Sequence, residues 1–362
     1  MTTSFKTTLG VLASAGFLLA VGYSTMKRAE RAQASRLDWR DITALSSTKG
    51  PVAAARAVDE RLLAHPNDAI MHYFRARLYY EDGRAPQALS EADRAIALGY
   101  AQEISHLLKA LVYGRLLNDR AQEKKLATKA LGYDPTYDDG YMARAEAEYR
   151  LGEYGPCVSD AASFSSLSPE DPYSYELSLL CLSELKDFAG AEKAGARLLK
   201  LEPNNHEALW RLGLLEAARG RHEEAVRRFS EAIRLSGGRP SYYLSRASSC
   251  RELGDFSCEA WDLASASDWK SVSSYATYYV RLGEAMHRVG ELELGMKAAG
   301  KALEIAPAAP AAHVLRGRLR AEKGDLKGAA ADFRAAEALA PGSDQELPGL
   351  LSAVGGASKS PK

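Results

Sequence analysis

The side chains able to do chemistry are scattered. The seven histidines, His65, His72, His106, His206, His222, His287 and His313, fall at unrelated points, and none forms the HExxH spacing of a zinc-binding helix. No glycine-rich loop leads into a lysine and a serine or threonine to cradle phosphate, and no GxSxG presents a nucleophile. The cysteines, Cys157, Cys181, Cys250 and Cys258, include no CxxC pair, which disfavours a zinc ribbon or a thioredoxin-type site. These spacings predict no catalytic residue, no metal and no cofactor, and they leave each histidine as a polar helix-surface or turn residue. An enzyme or ligand-binding protein with a site built across a groove is the rival class, and no convergent titratable cluster supports it.

Charge narrows the partners. Lysine plus arginine total 47 and aspartate plus glutamate total 47, so the chain has no broad basic footprint for nucleic acid. The basic runs from Arg120 to Lys129 and from Lys186 to Lys200 are interleaved with acids and alanines at helical spacing, the mark of a solvated face.

The elements that hold these residues keep a fixed beat. Pro135, Pro169 and Pro203 stand 34 residues apart, and Pro307 and Pro341 repeat the interval. A period of this size marks one supersecondary unit stacked many times. Within the unit from His206 to Gly237, Leu209, Leu212 and Gly213 hold positions 4, 7 and 8, while Gly220, Ala225, Phe229 and Ala232 hold 15, 20, 24 and 27. That is an amphipathic helix, a tight turn and a second helix. Small residues at 8, 20 and 27 let the helices approach, large ones at 4, 7 and 24 fill the space between them, and proline near 32 ends the pair.

This pattern resembles the tetratricopeptide repeat (TPR). Gly317, Gly324, Ala329, Phe333, Ala336 and Pro341 repeat it at the end of the array. Units begin near Ala69, Ile104, Asp138, Pro172, His206, Pro240, Ala276 and Pro310, with Asn118 and Lys186 replacing glycine at position 15. Gly195 stands where a large residue belongs at position 24, which suggests loose packing. A degenerate unit precedes these, with helices near 36–46 and 52–65 and a core of Trp39 and Leu45. The resemblance implies an all-α fold, a right-handed superhelical α-solenoid of eight to nine hairpins. The chain divides into 1–34, a membrane anchor or uncleaved signal; 35–68, a degenerate repeat; 69–343, the eight-repeat array; and 344–362, a short cap and disordered tail. Insertions near 100–103 and 271–275 separate one full repeat, five and two.

The resemblance further implies that positions 2, 5, 9, 12 and 13 face a concave groove. These include Tyr73, Arg77, Tyr80, Tyr149, Arg150, Tyr173, Trp210, Arg288 and Arg318. Aromatic and arginine side chains are the common anchors of protein interfaces. The groove reading takes a peptide or partner helix; the other reading has the tyrosines packing between neighbouring helices. The lysine and asparagine set by which some family members grip a chaperone's terminal carboxylate is absent from position 5, so that function is excluded. The expected function is a non-catalytic scaffold or adaptor, with the partner in the five-repeat run.

In the same frame Cys250 and Cys258 flank a hairpin turn, and Cys157 and Cys181 lie at adjoining ends of neighbouring helices. Disulfides Cys157–Cys181 and Cys250–Cys258 are open to this arrangement and would imply an oxidising compartment. So is a role as small apolar filler, which the alanine preference of position 20 favours.

Residues 7–26 carry no charge, and at about 1.5 Å per residue they span roughly the 30 Å of a bilayer core. Lys6 precedes them, and Lys27, Arg28, Arg31, Arg36 and Arg40 follow. The reading is a single-pass anchor, in outline similar to envelope-assembly adaptors of the bacterial inner membrane. A signal peptide cut after Ala32-Gln33-Ala34 would instead free a soluble periplasmic assembly factor. The basic flank favours repeats in the cytoplasm, the short N-terminal tail favours export, and the side stays open. At the other end, Pro348 and Gly349 are expected to interrupt a short cap built on Leu347, Leu350, Leu351 and Val354. The alanine-rich helix Lys327 to Leu339, if uncapped, would be a face for oligomerisation.

Overall fold

The computed structural model describes residues 51–266, 275–342 and 345–357, together with Ala44 and Thr48. The expected anchor at 1–34 and the helix at 36–46 with Trp39 and Leu45 lie outside the described residues. So does most of the insertion near 271–275. The described residues form eighteen helices and no strand, and none of these helices is long and apolar enough to cross a membrane.

The chain forms two compact units, residues 1–201 and 202–362. The first holds α1 (Pro51–Ala64), α2 (Ala69–Glu81), α3 (Ala85–Ala97), α4 (Gln102–Leu111), α5 (Arg120–Tyr133), α6 (Asp138–Leu151), α7 (Tyr154–Leu167), α8 (Pro172–Glu184) and α9 (Phe188–Leu201). The second holds α10 (His206–Ala218), α11 (His222–Ser236), α12 (Pro240–Glu252), α13 (Phe256–Ala266), α14 (Ala276–Arg288), α15 (Leu292–Ile305), α16 (Pro310–Glu322), α17 (Leu326–Leu339) and α18 (Leu347–Ala357). Within each unit the helices pair as hairpins, and each second helix packs on the next hairpin's first helix. The division after Leu201 splits the five-repeat run, leaving Tyr149, Arg150 and Tyr173 in the first unit and Trp210 in the second.

Local chemistry sets the hairpins. Asp68, Asp119, Asp171, Asn205 and Asp325 accept backbone N–H bonds at helix N-termini. Position 15 turns through a left-handed backbone in every full repeat: six glycines, Asn118 at φ 54° and Lys186 at φ 58°. The hairpins close where a small residue meets a large one. A Cβ on Gly213 would lie 2.6 Å from the Phe229 ring, so position 8 must be glycine where position 24 is phenylalanine. In the fourth repeat the sizes are exchanged. Leu179 at position 8 is fully buried and Gly195 at position 24 is buried, so the large residue stands on the first helix and the small one on the second.

Positions 4 and 7 depart from the apolar expectation in half of the repeats. Arg75, Arg144, Arg246 and Arg316 hold position 7, and each meets an acid sixteen residues on, at position 23 of the same hairpin: Glu91, Asp160, Asp262 and Asp332. Arg246 grips Asp262 with Nε at 2.8 Å and Nη2 at 2.6 Å, and Asp262 is fully buried. Where position 7 is Ala110, Ser178, Leu212 or Leu282, position 23 carries no acid. A buried carboxylate without its arginine would be costly, so the two positions change together. At position 4, the His72, Tyr141, Tyr175 and His313 side chains bond the carbonyls of Pro66, Pro135, Pro169 and Pro307, fastening each hairpin to the turn before it. His72 and His106 are buried, which corrects their expected place on the helix surface.

The last repeat is covered. Helix α18 runs through Pro348, which the open first turn of a helix tolerates, and through Gly349 to Ala357. It buries Leu347 and Val354 against Val314, Ala329, Phe333 and Ala336. The expected interruption at Pro348 and Gly349 is thereby corrected. The alanine-rich face of α17 is occupied by the chain's own cap and is not an open face for oligomerisation.

Candidate functional site

In the first unit the groove-face positions of four consecutive first helices carry a polar row. Helix α4 ends in a π-helical turn, Val112–Leu116, that holds Arg115. Arg115 bonds Tyr80 of α2 and lies 3.6 Å from Glu146 of α6, which in turn accepts a bond from the Tyr173 hydroxyl of α8. Burial pushes the Tyr80 and Tyr173 hydroxyls up, so both stay protonated, Tyr80 accepting from Arg115 and Tyr173 donating to Glu146. Below this row the carboxylate of Glu123 occupies the space left by the missing side chain of Gly114, fully buried, with one oxygen on Arg120 at 2.9 Å. Burial raises its carboxyl to about 7.

The expected site residues divide. Tyr73 is 6% exposed and packs against Tyr100, ring centroids 5.2 Å apart, and burial pushes its hydroxyl up to about 12. It belongs to the core and presents no face to a partner, because position 5 of the first repeat points between hairpins. Arg77 is half-buried and paired with Glu81 at 3.3 Å. Tyr149 is half-buried beside Tyr154, with the exposed Arg150 over its ring at 5.9 Å. Arg115 and Glu146 were overlooked, although they stand at positions 12 and 9 of the same groove frame.

The second unit has a face of its own. Trp210 stacks on Tyr242 at 5.4 Å, donates from Nε1 to Ser245 at 2.9 Å, and has the Arg211 guanidinium over its ring at 5.5 Å. The Tyr242 hydroxyl, overlooked in the sequence, donates to Glu207 at 2.8 Å and lies 2.9 Å from His206 Nδ1. A cavity of about 370 Å3 is lined by Leu214, Ala217, Phe229 and Leu244 with three serines. A larger cleft, about 740 Å3, brings Arg288 of α14 and Arg318 of α16 together with Leu347 of α18.

Disulfides join Cys157 of α7 to Cys181 of α8, with Cα atoms 6.0 Å apart, and Cys250 of α12 to Cys258 of α13, at 5.9 Å. Both Cys250 and Cys258 lie near Asp262, but the two sulfurs are bonded to each other and the carboxylate is held by Arg246, so this group has no open donor set for a metal.

Several solved structures are similar to this chain. One is a TPR protein from Parabacteroides merdae, 17% identical over 70% of this chain and 98% of that chain, TM-score 0.46. Another is YrrB, described as a TPR protein with an unusual peptide-binding site, 19% identical over 53% of this chain and 96% of that chain, TM-score 0.47. A third is MamA from Desulfovibrio magneticus, 14% identical over 46% of this chain and 94% of that chain, TM-score 0.44. No curated protein matches the sequence. The tetratricopeptide repeat family model matches residues 50–102, 182–257 and 288–344, just over half of the chain. With helix hairpins at a 34-residue period and a left-handed turn in each, the chain belongs to the tetratricopeptide repeat family.

Proposed function

We propose that the chain is a non-catalytic scaffold that binds an extended peptide or partner helix on the groove faces of its first helices and is held at a bacterial inner membrane by its N-terminal segment. The observation that carries the reading is the row Tyr80, Arg115, Glu146 and Tyr173. Its side chains are ordered by one another, so a partner meets a surface whose conformational entropy is already spent. Tyr149 and Arg150 extend this face, and Trp210, Arg288 and Arg318 offer a second one in the other unit. The anchor rests on the uncharged span 7–26 and its basic flank.

A photo-crosslinking residue placed at Tyr149 or at Trp210 tests the faces, with Arg234, which is 70% exposed on α11, as control. The same adducts from position 234 would remove the groove assignment. The anchor is tested by the mass of the chain in washed membranes. A mass that includes residues 1–34 is expected; a soluble chain beginning after Ala34 replaces the anchor with a cleaved signal.

A further inference from the structure

Around the larger cleft of the second unit three arginines, Arg251, Arg281 and Arg288, share two acids, Glu259 and Glu284. His287 Nε2 lies 2.5 Å from Glu322, and Arg318 Nη2 lies 2.6 Å from Glu346. Glu284 lies 3.7 Å from Arg251. Arg288 is the cation of the cleft that makes no hydrogen bond to a carboxylate among the described residues. Its nearest acid is the buried Glu259, whose Oε2 forms a long ion pair with Arg288 Nη1 at 3.9 Å while its Oε1 accepts from Arg281 Nε at 3.0 Å. Its guanidinium sits over the Phe256 ring, 4.8 Å from the centroid. Stacking engages the face of a guanidinium and leaves the N–H donors on its edge for a planar acceptor. Beside it, the half-buried Pro310 and the exposed Ala311 give the cleft an apolar edge.

Resting on the scaffold reading, we propose that this cleft binds an acidic side chain, aspartate or glutamate, within an extended peptide partner. The carboxylate takes the edge donors of Arg288, and an apolar neighbour on the peptide lies on Pro310 and Ala311. A single negative charge matches the one cation in excess among the arginines that share Glu259 and Glu284. A phosphate dianion fits less well, because Glu259 stands fixed and negative behind Arg288. An internal residue suits the site because the lining comes from α14, α16 and the start of α18, so a chain crossing the cleft meets all three.

The test is fluorescence anisotropy on the full chain in detergent. The probe is a labelled peptide of alternating leucine and glutamate, amidated at its C-terminus so that no terminal carboxylate is present. Two further probes replace glutamate by glutamine, or leucine by serine. The glutamate peptide is expected to bind at least about tenfold more tightly than either. Arg288→Ala should erase the preference for glutamate over glutamine, Arg288→Lys should restore part of it, and Arg234→Ala should change nothing. Arg288 is exposed, so its variants are expected to fold, and circular dichroism checks that they do. No binding of the glutamate peptide, equal affinity for the glutamine peptide, or an unchanged Arg288→Ala variant each overturns the proposal. If crosslinks at Tyr149 and Trp210 survive that result, the scaffold reading stands and only the acidic specificity falls.

Discussion

Arg316 holds Asp332 with both arms of its guanidinium, Nε at 2.9 Å and Nη2 at 2.7 Å, across the two helices of the last hairpin. His313 Nδ1 lies 3.2 Å from the same carboxylate, and Arg320 Nη1 approaches it at 2.7 Å. The arginine bonds hold the Asp332 carboxyl below its usual value against the opposing effect of burial. The first full repeat has the same grammar in His72, Arg75 and Glu91.

Breaking such a clamp on one side strands a charge. Arg246→Leu leaves Asp262 buried and unpaired, and is expected to cost about 3–5 kcal/mol. The double change Arg246→Leu with Asp262→Ala reproduces the pair that Leu282 and Ala298 form at positions 7 and 23 of the next repeat, and should recover most of that loss. Urea unfolding of the two variants beside wild type measures the difference. A double variant no more stable than the single would refute the exchange rule.

Lys186 holds a left-handed conformation that six of its counterparts assign to glycine. Lys186→Gly is expected to stabilise by roughly 0.5–1 kcal/mol. The converse change Gly220→Lys meets no atom within 4 Å at its Cβ, so its cost of about 1–2 kcal/mol would come from the backbone alone. Thermal melts of both variants check the opposite signs.

Stability should also fall as pH rises. Burial lifts the carboxyls of Glu123 and Glu148 from 4.5 to about 7. The folded state therefore holds protons that the unfolded chain has released, and the stability linked to them is full below pH 4.5 and lost as pH climbs through about 7. The span is on the order of 3 kcal/mol for each group. Glu123→Gln should flatten the dependence and stabilise the protein at pH 8. Denaturation midpoints between pH 5 and 8 measure it, and a wild-type profile that rises with pH contradicts the assignment.

Reduction should weaken both units. The Cys157–Cys181 bridge closes 24 residues and is expected to contribute about 3 kcal/mol, more than the Cys250–Cys258 bridge across 8. Thiol titration of unfolded, unreduced protein should find no free cysteine, and four reactive thiols would show that the pairs are not bonded.

The repeat frame was legible because its signals are local. A proline ends a hairpin and a residue at position 15 turns it, so helix starts such as Asp138, Pro172 and Pro310 can be read from spacing alone. The frame also picked out Tyr80 and Tyr173, which stand in one row with Arg115 and Glu146. It misplaced Tyr73, because position 5 says which way a side chain leaves its helix and not what stands opposite; there Tyr100 arrives from the neighbouring turn. It passed over Arg144 and Asp160 because the frame assigns apolar side chains to the helix interface, and an arginine there is legible only once its acid sixteen residues on is read with it. Arg115 and Glu146 were missed because each looks ordinary in its own repeat. Their meaning lies in the row they form with Tyr80 and Tyr173.

The paired exchange at positions 7 and 23 has a bearing on how such an array can be rebuilt. Each clamp closes within one hairpin, so duplicating or recombining the gene between hairpins carries both partners together. A crossover at the position-15 turn would join the first helix of one repeat to the second helix of another. The arginine of the third repeat would then face Ala194, and the aspartate of the sixth would face Leu212. The whole hairpin, not the single helix, is the heritable brick of this protein.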